Sequence, residues 1–181
     1  MIFSVDLVTQ ILSFLTLVGN FLILFFIIAL LTKDGQKVQF FAKNGLLLAL
    51  IISLFALFGS LFYSEIAGYA PCELCWYQRI FMYPLVVILG IALIKKDYNI
   101  TRYVIPLTII GSLISFYHYA VQRWNASSFC SIDGVACMSR VSFHYGYISI
   151  PIMALTAFVL IAFFVYLADK YYSFKKRYNE R

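Results

Sequence analysis

Four cysteines carry the reactive chemistry of this sequence: Cys72, Cys75, Cys130 and Cys137. The first two form a C-x-x-C pair. Two intervening residues close a ring too small to staple a fold, because so short a loop removes little unfolded-state entropy. The same spacing suits exchange, since both sulfurs stay close and can swap partners. The second pair is spaced C-x6-C, and four cysteines leave three pairings open. A four-cysteine zinc site usually joins C-x2-C to another close pair, which C-x6-C is not, so no metal is expected. Pro71 precedes Cys72, and a helix beginning close to Cys75 would put the pair at its N-terminus, where free N–H groups and the helix dipole favour a thiolate. Arg79 follows Cys75 by one helical turn and can share its face. There it would stabilise a Cys75 thiolate; the plainer alternative is snorkelling to lipid head groups. His118 sits near the end of an apolar run, where an ionisable residue is a functional candidate by default. Its plainer alternative is a hydrogen-bonded histidine at an interface. His144 reads as solvated, and Trp76 as an interfacial belt residue.

The surroundings of these residues are those of a membrane protein. The 181 residues are 63% hydrophobic and 12% charged, against about 45–50% and about 25% in soluble domains. So few charges cannot cover so much apolar surface in water, which excludes a soluble globule and a disordered chain alike. The net charge of +6 does not point to nucleic acid, because the basic residues lie between apolar runs rather than along one solvated face.

Five apolar stretches are legible: 8–31, 46–63, a segment ending at 94, 103–121 and 148–168. A span needs about 20 apolar residues. The third stretch, counted from Ile80, is too short; it spans only if its helix begins near Cys75 and carries Trp76 to Arg79 into the interface. The first has no leading positive charge and no small-residue cleavage site, and reads as a retained helix. Its Asn20 and Gln10 are expected to face other helices or the interface. Pro84, Pro106 and Pro151 fall in or near spans, where neighbouring groups can satisfy the freed carbonyls.

Direction follows from Lys and Arg. Eleven of the 14 basic residues fall in the segments after the first, third and fifth spans, and Arg79, Arg123 and Arg140 fall on the other side. The positive-inside rule makes the majority side cytoplasmic. The N-terminus is then outside, the C-terminus inside, and all four cysteines outside, where disulfides persist.

The segment SEIAGYAPCELCWYQRIFMYPL resembles the signature of the disulfide-bond formation protein B family (DsbB), particularly its BdbC-like branch: C-x-x-C, then Q-R or E-R, at the outer end of a transmembrane helix. FYHYAVQ resembles the family's histidine-bearing stretch, and YGYISIPIMAL the opening of its last helix, with Gly146 and Pro151. The resemblance covers about residues 45 to 170. It implies an all-α integral membrane protein, with an antiparallel four-helix transmembrane bundle over residues 45–181. Residues 1–44 add one N-terminal transmembrane helix and a cytoplasmic loop. The activity implied is a protein-dithiol:quinone oxidoreductase of the bacterial cytoplasmic membrane. It would reoxidise a thioredoxin-fold thiol oxidase of DsbA or BdbD type and pass electrons to ubiquinone or menaquinone. By position, Cys72 and Cys75 would be the quinone-proximal pair, Cys130 and Cys137 the pair that meets the partner, and Arg79 and His118 would line the quinone site. The second cysteine loop is shorter than in the best-known members, so their interfacial helix is expected to be missing or reduced to one turn.

Three other readings fit less well. In vitamin K epoxide reductase-like proteins the C-x-x-C follows the loop pair, whereas here it comes first. A transmembrane thiol carrier needs cysteines within its spans. A structural protein with two ordinary disulfides leaves the C-x-x-C spacing without a purpose.

Overall fold

The computed structural model describes residues 2–31, 35–124 and 145–179. Cys130, Cys137, Arg140 and His144 lie outside the described residues, as does the expectation about an interfacial helix in that loop. The regular elements are all helical: α1 (Ile2–Leu31), α2 (Gly35–Lys43), α3 (Gly45–Leu61), a π turn (Phe62–Ile66) that prolongs α3, α4 (Glu73–Lys95), α5 (Thr101–Trp124) and α6 (Ile150–Asn179). Five segments are long and apolar enough to cross a membrane: Val5–Ala29, Gly45–Ile66, Glu73–Lys95, Thr101–Trp124 and Ile150–Tyr178. The chain is a multi-pass, all-α membrane protein.

The two short stretches gain their length in different ways. The π turn brings the second span to 22 residues. The third begins at Glu73 and runs for 23 residues, about 34 Å at 1.5 Å per residue. Cys72, Trp76 and Arg79 therefore sit in the first turns of a transmembrane helix or at its cap.

Helices α3, α4, α5 and α6 pack in sequence around one core, with α6 closing the ring against α3 and also touching α1 and α2. Leu85, Leu89, Val104, Phe158 and Ile161 are fully enclosed there. Lipid gives no hydrophobic drive between helices, so close approach matters. Gly111 supplies it between α5 and α6: the ring of Phe158 lies where a β-carbon would be. The hydroxyls of Thr108 and Ser115 are buried in this layer, and each donates to a carbonyl one turn back, at 3.1 Å to Val104 and 2.8 Å to Gly111. A hydroxyl satisfied within its own helix makes no demand on its neighbours. Pro84 and Pro106 lie inside α4 and α5, as membrane helices tolerate.

Helix α1 is apolar on every side. Ile11, Phe14 and Phe21 face outward and are exposed, while Phe26 is enclosed and stacks on Phe163 of α6 at 4.7 Å between ring centres. Asn20 makes a helix-packing contact, as its position suggested, and Gln10 is exposed.

Candidate functional site

Cys72 is the residue at which α4 starts. It is extended (φ −73°, ψ 168°), and its sulfur accepts the backbone N–H of Cys75 at 3.4 Å. This is the N-cap arrangement in which a side chain serves one of the orphan N–H groups of a first turn, here with sulfur in place of oxygen. One turn of helix brings the Cys75 sulfur to 2.8 Å from that of Cys72. Both are thiols, Cys72 buried and Cys75 half-buried. They need little backbone movement to interconvert dithiol and disulfide.

His118, near the end of α5, reaches the same point and is 2% exposed. Its Nε2 is 3.7 Å from the Cys72 sulfur and 3.3 Å from Gln122 Nε2, one turn further along α5. Its Nδ1 is 3.2 Å from Gln78 Nε2. When Gln78 donates to Nδ1, Nε2 carries the proton and faces the sulfur. Gln122 Nε2 is equally a donor and asks Nε2 to accept, so the two amides compete for the tautomer; only the one set by Gln78 lets Nε2 donate to a Cys72 thiolate. The donor atoms of Cys72, Cys75 and His118 lie within 4.8 Å of one another, a grouping that also resembles a metal site. Two thiolates on one tetrahedral zinc, however, would stand about 3.8 Å apart at about 2.3 Å per bond. The observed 2.8 Å fits sulfur–sulfur exchange better.

Arg79 is half-buried and turned across to α3 rather than out to lipid. Its Nε donates to Ser60 Oγ at 2.9 Å and an Nη to the Ser60 carbonyl at 3.0 Å. Tyr83 reaches the same hydroxyl at 3.4 Å, and Trp76 stacks its ring 5.3 Å from the guanidinium carbon. Trp76 is half-exposed, as a belt residue would be, and also covers this cation.

Cys72, Cys75, Arg79 and His118 all line one cavity of about 420 Å³. Its other walls come largely from α1, α3 and α6 and are mostly apolar, with Thr16, Tyr63 and Thr156 among them.

Residues 42–168 match the family model described as disulfide bond formation protein DsbB. The chain belongs to the DsbB family. Among its relatives, disulfide bond formation protein C of Bacillus subtilis (strain 168) is 47% identical over 119 residues, covering 65% of this chain and 86% of the relative. A probable disulfide formation protein of Oceanobacillus iheyensis is 49% identical over 126 residues, 66% of this chain and 85% of that protein. The SPbeta prophage-derived disulfide bond formation protein B of Bacillus subtilis is 44% identical over 122 residues, with 67% and 82% covered. No solved structure matches the chain. The DsbB match begins at residue 42, so α1 lies ahead of it.

Of the site residues, Ser60 had no place in the sequence reading, and Gln78 and Gln122 entered only within the stretches that carry the resemblance, with no role of their own. Gln78 and Gln122 carry a signal in retrospect: each is an amide in an apolar span, spaced i+3 from Cys75 and i+4 from His118. Ser60 carries none, because serines that bond their own helix are common in spans.

One consequence concerns Cys72, which precedes the third span. In the dithiol, the Cys75 thiol donating to it is the main influence holding its pKa well below the ordinary thiol range; burial opposes this, and His118 assists. A lowered pKa leaves the thiolate populated as pH falls. In reduced Cys130→Ser/Cys137→Ser protein, alkylation of Cys72 should therefore reach half-maximum well below the ordinary thiol value. His118→Phe should move the midpoint upward. A midpoint at the ordinary thiol value of about 8.5 in the parent protein would remove this account of the pair.

Proposed function

We propose that this protein is a membrane protein-dithiol:quinone oxidoreductase. It reoxidises a thioredoxin-fold thiol oxidase of DsbA or BdbD type and passes electrons through two cysteine pairs to the membrane quinone pool. The observation that carries this reading is the cavity, which a dithiol, an arginine and a histidine line together with mostly apolar side chains. A quinone has that polarity: a polar ring on an apolar tail. When bound, it would serve as terminal oxidant, accepting two electrons and two protons.

The remaining steps belong to the chain's own residues. The partner's dithiol attacks the disulfide of Cys130 and Cys137 through a mixed disulfide with Cys130, leaving the partner oxidised and two thiols on the loop. Cys137 attacks Cys72 of the oxidised C-x-x-C pair, and the Cys75 sulfur leaves as thiolate. Cys130 then attacks Cys137, closing the loop disulfide and releasing Cys72. The pair now holds the two electrons. In the tautomer set by Gln78, His118 donates from Nε2 toward the Cys72 sulfur and steadies it. Arg79, fixed by Ser60, offers its remaining N–H donors to negative charge developing in the cavity.

We place the protein in the bacterial cytoplasmic membrane, with residues 45–181 as the redox domain and residues 1–44 as an added helix and loop. All four cysteines would then be extracytoplasmic. Reporter fusions at Gly35 and Asp97 should read cytoplasmic, and a fusion at Asp133 external; an external signal at Asp97 would reverse the orientation. The activity is tested in proteoliposomes held anaerobically with reduced partner and a quinone as sole oxidant. One quinol should form for each partner disulfide. Partner oxidation that proceeds equally without quinone would count against the assignment.

A further inference from the structure

Helix α1 precedes the region shared with the family, and none of the thiol chemistry employs it. It is nevertheless seated by specific contacts. Thr156 Oγ1 of α6 donates to Asn20 Oδ1 at 2.9 Å, and Asn20 Nδ2 donates to the Tyr147 hydroxyl at 3.2 Å. Nearer the helix start, the Tyr63 hydroxyl donates to Thr9 Oγ1 at 3.0 Å. Gly19 lets α1 approach α6: a β-carbon there would lie 3.0 Å from both Leu160 Cδ1 and Thr156 Cγ2. Between the contacts to Tyr63 and Thr156, α1 does not fill the space before it. Leu12, Thr16, Gly19 and Leu22 share one helical face, and that face lines the same cavity that ends at Cys75 and Arg79. The Thr16 hydroxyl donates to the Leu12 carbonyl at 2.8 Å, so this wall asks for no polar partner. At the rim, Val18 is 38% exposed and Ile51 of α3 39%, which leaves a way out to lipid between the two helices.

We propose that α1 is the tail-selecting wall of the acceptor site. It holds the first part of the acceptor's polyprenyl tail against α3 and passes the rest to lipid between Val18 and Ile51. The inference rests on the quinone reading. A ring held beside Cys75 and Arg79 carries an apolar substituent that must leave through apolar surroundings, and Leu12, Leu15, Val18 and Leu22 of α1 supply such a wall to the same cavity. The proposal gives residues 1–44 a purpose that the redox cysteines do not: selection of the acceptor by its tail.

The test compares binding of a naphthoquinone bearing a long polyprenyl tail with binding of the same ring without one. The full-length protein is studied in nanodiscs, and binding is read by quenching of tryptophan fluorescence, so that no turnover is needed. Thr16→Phe puts a ring into the cavity, and overpacking of this kind typically costs enough to weaken binding about ten-fold or more. The ratio of Kd for the tailed quinone to that for the tail-less one should rise by about that factor. Val18→Phe, at the rim, should raise it in the same direction and serves if Thr16→Phe does not fold. Phe21→Leu, on the lipid-facing side and 64% exposed, should leave the ratio alone. A ratio unmoved by both cavity variants, or weakening equal for the two quinones, overturns the role of α1 and leaves the quinone reading standing. Failure of the unaltered protein to bind either quinone overturns both.

Discussion

Serine at Cys72 or Cys75 is expected to abolish catalytic oxidation of the partner by quinone, with no residual turnover above the uncatalysed exchange. The pair lines the cavity with its sulfurs 2.8 Å apart, and an oxygen at either position cannot form the disulfide whose reduction to the dithiol stores two electrons. The loop cysteines should be as indispensable, but their variants should fail differently. In the proposed relay Cys130 is the sulfur that meets the partner, so Cys130→Ser should form no mixed disulfide. Cys137→Ser removes the resolving thiol, so the mixed disulfide through Cys130 should accumulate and be visible on non-reducing gels. Near-normal turnover of the natural partner by a Cys130→Ser/Cys137→Ser variant would contradict the two-pair relay.

Arg79→Lys is expected to weaken quinone binding and quinone-dependent turnover by about one to two decades, the range for loss of a charge-assisted contact of about 1.5–3 kcal/mol. Lysine keeps the charge but not the planar fork that grips the Ser60 hydroxyl and carbonyl together. Its ammonium should return to the head groups, leaving the cavity end without a fixed donor. Ser60→Ala tests the same geometry more gently, since it removes one contact and keeps the carbonyl. Its loss should be nearer about 1 kcal/mol, or several-fold in quinone Kd. A lysine variant with unchanged quinone affinity and turnover would assign Arg79 to holding α3 and α4 together and nothing more.

The start of α4 could be read from the sequence, because the third apolar stretch was too short to span unless its helix reached back to the cysteines. The one-turn spacing of Cys75 and Arg79 was equally legible, since it needs only helical periodicity. The partners of these residues were not. His118 meets Cys72 only because α5 packs against α4, and Gln78 meets His118 for the same reason. No local pattern encodes which faces of two apolar helices turn toward each other. Arg79 was expected beside Cys75 as its counter-charge; its hydrogen bonds to Ser60 of another helix could not be read, and it lines the same cavity as Cys75. Helix α1 was evident as a span, but its apolar residues cover every side, so neither its contact with α6 nor its place beside the cavity could be read from hydropathy.

The central claim is that the C-x-x-C pair delivers its two electrons to a quinone held in the cavity. The most direct measurement uses Cys130→Ser/Cys137→Ser protein, fully reduced and anaerobic, in which Cys72 and Cys75 are the only thiols. One equivalent of quinone should convert both thiols to a single disulfide between Cys72 and Cys75, identified by mass spectrometry, with one equivalent of quinol formed. Two thiols that persist while the quinone stays oxidised would contradict the account.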